Sequence, residues 1–98
     1  MHAFEGLYDH SELTQIRFVG FHSEHARYDF GILYTNRFFG KPIVIDMLTG
    51  KAVLVSPFEL SNKEWLKKTF QIHHEDDVER MVHFFEEYIP SLPYEPQY

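Results

Sequence analysis

Cysteine is absent from the 98 residues, which removes disulfides, thiolate nucleophiles and Cys-ligated zinc together and points to a reducing compartment. Long apolar runs are absent too: no stretch approaches the roughly 20 residues a spanning helix needs. The N-terminus, MHAFEGLYDHSEL, has no basic region followed by an apolar core, so it does not read as a signal peptide. A cytoplasmic location and no membrane partner are the expectation. Cations are scarce, with nine Lys and Arg against fifteen Asp and Glu and a formal net charge of −6. Residues 1–57 carry five basic and six acidic side chains, and the remainder four and nine. Neither part clusters the cations needed to displace counterions from a phosphate backbone, so nucleic acid is not an expected partner.

What the chain does have is apolar area. Hydrophobic residues make up 44% and aromatics 17%, with ten Phe and six Tyr, enough for one core without staples. The length fits a single domain. That domain is assigned to residues 1–90, and the last residues, 91–98 (SLPYEPQY), read as a Pro/Tyr-rich extended tail without apolar period.

The first half is strand-like. Residues 13–21 (LTQIRFVGF), 28–35 (YDFGILYT), 43–47 (IVIDM) and 52–55 (AVLV) are rich in β-branched and aromatic residues and separated by short connections. They predict a four-stranded antiparallel meander. Because strand side chains alternate, Tyr28, Phe30, Ile32 and Tyr34 share one side and Asp29, Gly31, Leu33 and Thr35 the other. Neither side is cleanly polar, which predicts helices on one face and a second subunit on the other.

The second half is helical. Ser61-Asn62-Lys63-Glu64 has the form of a capping box opening a helix that carries Trp65, Leu66 and Phe70. Val78, Met81, Val82, Phe85, Tyr88 and Ile89 then form one apolar stripe at helical spacing. Pro90 ends that helix. The fold class is therefore α+β, a four-stranded antiparallel meander followed by two C-terminal helices packed on one face.

Seven histidines invite a metal assignment. His22 and His25 bracket the hairpin tip HSEH, and His73 and His74 open the acidic segment HHEDD, so these four are the candidate ligands. Zinc needs three or four converging donors, and an odd spacing along a strand sends His22 and His25 to opposite sides. A site requires the His73–Asp77 segment to fold back onto the tip. Otherwise HSEH is a polar hairpin tip, and three consecutive acids complement a helix dipole. No H-E-x-x-H or D-x-D-x-D-G pattern supports zincin or EF-hand chemistry.

Catalytic patterns do not assemble. Asp9-His10-Ser11 has the letters of a triad, but neighbours along a chain cannot relay to one another, and no G-x-S-x-G elbow is present. YDHSE reads as a turn in which Asp9 or Ser11 bonds locally. RFVGF has the residue types of an RNA-binding aromatic motif without its second glycine or spacing. Gly40-Lys41-Pro42 and Thr49-Gly50-Lys51 lead into strands, not helices, and are turns rather than phosphate loops. No catalytic residue and no cofactor is predicted.

The ordered segments QIRFVGF, RYDFGILYT and FFGKPIVIDMLTGKAVLV, followed by a short and then an acidic amphipathic helix, resemble a family of small uncharacterised proteins of low-GC Gram-positive bacteria, a domain of unknown function. The resemblance runs from about Tyr8 to Ile89. It implies a stand-alone bacterial cytosolic protein and carries over no active-site residue.

The chain thus reads as a non-enzymatic protein-binding or regulatory module acting as a homodimer. The candidate contact is the row Tyr28, Phe30, Ile32 and Tyr34 with Arg17 at its edge, the composition of a protein interface; under the helices the same row would be core. The competing reading is a metal-binding protein or metal-dependent enzyme using His22, His25 and the His73–Asp77 segment.

Overall fold

The computed structural model describes residues 5–89, the Phe39 side chain apart. The Pro/Tyr tail assigned from the sequence lies outside the described residues. Four strands, β1 (Gln15–His22), β2 (Arg27–Tyr34), β3 (Ile43–Asp46) and β4 (Ala52–Leu54), form one antiparallel sheet in sequential order. Three helices follow: α1 (Pro57–Leu60), α2 (Lys63–Phe70) and α3 (Glu75–Tyr88). The expected meander and the two longer helices are present, and α1 is a single additional turn.

Turn chemistry sets the meander. Between β3 and β4, Asp46 Oδ1 accepts the Leu48 N–H at 2.9 Å, and Gly50 adopts φ 80°, a conformation that disfavours a side chain. Among the described residues it is Glu12, and not Asp9 or Ser11, that ties down the chain ahead of β1. Its carboxylate accepts the Asn36 N–H at 3.1 Å and the Thr35 hydroxyl at 2.9 Å, and these bonds hold its pKa below the ordinary carboxylate range.

The helix caps differ from expectation. The reciprocal pair is Ser56 and Glu59: the Glu59 carboxylate accepts the Ser56 N–H at 2.7 Å and its hydroxyl at 2.6 Å, with Pro57 at the first helical position. Ser61 closes α1, donating its hydroxyl to the Phe58 carbonyl at 2.8 Å. Asn62 caps α2, its side chain accepting the Trp65 N–H at 3.0 Å. One residue of register separates this from a Ser61–Glu64 box, because a turn that ends one helix already uses Ser61. At the far end of α3, Ile89 is extended (φ −110°, ψ 110°), as the residue before a proline should be.

The register decides which face is core. Pairings Val19 with Phe30, Arg17 with Ile32 and Ile32 with Val44 place these residues on one side of the sheet. Phe30, Ile32 and Val44 are buried there with Leu66 and Phe70 of α2 and Val78, Met81 and Phe85 of α3. The Phe30 ring meets Phe70 edge-on at 5.4 Å and Phe85 at 5.0 Å. Each such side chain removed from water contributes about 1.5–3 kcal/mol.

The predicted contact row Tyr28, Phe30, Ile32 and Tyr34 therefore lies under the helices. Phe30 and Ile32 are core, the Tyr34 hydroxyl donates to the Tyr88 carbonyl at 2.8 Å, and Arg17 stacks its guanidinium on the Tyr88 ring at 4.9 Å. The apolar stripe of α3 needs large flat side chains to pack on, and this row supplies them. The free sheet face is the opposite one.

Candidate functional site

Two features stand out from this frame: the joint between the hairpin tip and α3, and the open face of the sheet.

The joint is built on Ser23. Its N–H bonds the Ala26 carbonyl at 2.9 Å, and its hydroxyl oxygen accepts the N–H groups of His25 (3.0 Å) and Ala26 (3.2 Å), so the tip is a tight self-bonded turn. The same hydroxyl donates to Asp77 Oδ2 at 2.9 Å, and the Tyr28 hydroxyl donates to that oxygen at 2.8 Å. Arg80 Nη1 stands 3.5 Å from Asp77 Oδ1. Asp77 is fully buried. Burial pushes its carboxyl up, but the bonds from Tyr28 and Ser23, with the charges of His25 and Arg80, outweigh that and hold it below its ordinary value. Burial, reinforced by the bond to Asp77, pushes the Tyr28 phenol up to about 12. Of the three acids opening α3, Asp77 is thus a structural anchor for the hairpin and not only a complement to the dipole.

Around that anchor the HSEH tip and the HHEDD segment do meet. The His25 and His74 rings stack with centroids 3.7 Å apart and planes within 9°. His25 Nε2 lies 3.3 Å from Asp76 Oδ2 and 4.0 Å from Glu24 Oε1. Glu24, His25 and Asp76 offer one donor atom each, all within 4.8 Å of one another. Of the four predicted ligands, only His25 belongs to this group. His74 stacks on it, and parallel rings aim their nitrogens side by side instead of at a common point. His22 follows Phe18 and Gly20 on the open-face row of β1, and His73 is exposed. The other two donors are carboxylates inside the two polar segments: Glu24 of the HSEH tip, and Asp76 of the His73–Asp77 segment that the metal reading invoked.

The open face carries Ile16 and Phe18 of β1, Gly31 and Leu33 of β2, and Ile43, Ile45 and Leu54 beyond. Over Gly31, where a Cβ would stand, Ile16 Cδ1 comes to 3.3 Å, and Met47 Sδ and Phe18 Cε1 each to 3.6 Å, so side chains of β1 and of the turn after β3 converge on one glycine of β2. Exposure is high for such residues: 68% for Phe18, 49% for Met47, 39% for Ile16 and 38% for Leu54. The one carboxylate of β2 on this side, Asp29, is paired with Arg27 Nε at 2.8 Å. Alternation had shown that this row is not cleanly polar; it could not show that the helices lie on the other one.

A shallow groove of about 440 Å³ runs between α1 and α3, bounded by Pro57, Leu60, Lys63, Val82, Glu86 and Ile89. With Ser61, which also lines it, the groove sets one serine, one lysine and one glutamate among apolar side chains, and the Ser61 hydroxyl is committed to the Phe58 carbonyl. Among the described residues no helix is long and apolar enough to cross a membrane.

A family model described as SAV0927-like matches residues 7–87. The match takes in all four strands and α3 as far as Glu87, nearly the span over which the sequence resembles a small family of low-GC Gram-positive bacteria. No curated protein matches.

Proposed function

The chain belongs to the SAV0927-like family, and on that premise we propose that it is a non-catalytic protein-binding module of the cytoplasm that works as a homodimer, two copies joining through their open sheet faces. The observation that carries this reading is the convergence of Ile16, Phe18 and Met47 over Gly31 on a face that, among the described residues, no helix covers.

A second copy fits this face for two reasons. Its central residues are uncharged, so the complementary surface is another apolar one, and the same patch presented by a two-fold partner is complementary to itself. The area also suffices. From the exposures above, with the half-buried Leu33, Ile43 and Ile45, the patch amounts to roughly 500 Å², at the top of what a monomer ordinarily leaves in water. Two such patches give roughly 1,000 Å², the lower bound for a specific interface. An interface of that size falls in the class of weak, transient associations, well below the area of obligate dimers.

Sedimentation velocity over a concentration series tests this. The expected result is a concentration-dependent monomer–dimer equilibrium, and a Phe18→Glu variant that is monomeric throughout while keeping the parent's circular dichroism. A parent chain that stays monomeric at the highest concentration, or a Phe18→Glu chain that dimerises unchanged, would overturn the proposal.

A further inference from the structure

We propose that the tip of the β1–β2 hairpin and the first turn of α3 form a binding site for one divalent transition-metal ion, held by His25 Nε2, Glu24 and Asp76. The three donor atoms come from two elements far apart in sequence and lie within 4.8 Å of one another. Ligands bonded at about 2.0–2.2 Å to a common ion stand roughly 3–4 Å from each other. The His25–Asp76 separation of 3.3 Å and the His25–Glu24 separation of 4.0 Å already fall in that range.

The imidazole is the donor held in place. Its backbone N–H is bonded to Ser23, Ser23 is bonded to buried Asp77, and the His74 ring lies parallel against it. The carboxylates are exposed and close the site by side-chain rotation. One imidazole and two carboxylates make a mixed nitrogen–oxygen set with positions left for water, which suits Zn²⁺, Ni²⁺, Co²⁺ or Mn²⁺ better than Ca²⁺ or Mg²⁺, whose shells are all oxygen. Two features hold the affinity down. Arg80 Nη1 stands 3.7 Å from Asp76 Oδ2, and the N-terminal end of α3 carries positive charge; both repel a cation. Arg80 is consequently the residue that tunes the site.

Calorimetric titration of tag-free protein with Zn²⁺, and separately with Ni²⁺, tests the site. One ion per chain is expected, with a melting temperature raised by several degrees because the ion bridges two elements. His25→Ala and Asp76→Asn should each weaken binding by roughly ten-fold or more. His73→Ala should leave it unchanged, and Arg80→Gln should tighten it. Asp76, His73 and Arg80 are exposed and the His25 side chain is half-buried, and circular dichroism checks that each variant folds. No heat and no thermal shift at millimolar Zn²⁺, or binding that survives His25→Ala undiminished, would overturn the proposal. Either result leaves the dimer reading intact, since sedimentation without metal decides that separately.

Discussion

The Tyr28 hydroxyl donates to Asp77 Oδ2 at 2.8 Å, joining the second strand to the first turn of the last helix across 49 residues of sequence. Ser23 donates to the same oxygen, so one buried carboxylate locks both the hairpin tip and the start of β2 to α3. Removing one donor leaves a buried acceptor under-satisfied. Tyr28→Phe should therefore cost about 1–3 kcal/mol. Asp77→Ala strips both donors of their partner and should cost more than Tyr28→Phe. Urea unfolding of the three proteins gives the order; equal midpoints for parent and Asp77→Ala would show that the joint contributes nothing.

The same pair sets a pH dependence with opposite signs at the two ends of the scale. Asp77 is held below its ordinary pKa in the fold. Its contribution is present above the unfolded value, about 3.9, and fades as pH falls through the lower folded one. Tyr28 is raised to about 12. Its contribution is present below the unfolded value, about 10, and is lost as pH rises through the folded one. Tyr28→Phe should accordingly show a flatter stability profile than the parent between about pH 10 and 12. Parallel profiles over that window, from thermal melts at closely spaced pH, would refute the assignment.

The meander and the main helices were legible because they rest on local patterns: alternation in the strands, turn residues between them and the Val78–Met81–Phe85 stripe. The covered face was not, because neither row of β2 is cleanly polar and alternation does not say where the helices dock. What fixes it are contacts such as Tyr28–Asp77 and Tyr34–Tyr88, made across about half the chain. The candidate metal donors divide in the same way. His25 could be named from the tip itself, but Asp76 becomes its partner only when α3 docks on the hairpin.

Helix capping offers a sharper test of local register. Asn62 holds the Trp65 N–H, whereas the Ser61 hydroxyl serves the end of the preceding turn. Asn62→Ala should cost about 1 kcal/mol, and Ser61→Ala should cost less. Thermal melts that rank the two variants the other way would restore a Ser61–Glu64 box as the operative cap.

The two faces of the sheet predict opposite responses to the same substitution. Phe30 touches Phe70 and Phe85 in the core, and truncating it removes apolar burial while leaving a cavity. Phe30→Ala should cost about 3–5 kcal/mol, a large share of the roughly 5–15 kcal/mol available to a small domain. Phe18 projects from the other face at 68% exposure. Phe18→Ala should change monomer stability by no more than about 0.5 kcal/mol, measured at a concentration where the parent is also monomeric. At high concentration the parent gains stability from association and the variant does not, so the difference between them should grow with protein concentration. A gap between parent and Phe18→Ala that is concentration-independent would mean that Phe18 acts within its own chain and that the open face is not where two copies meet.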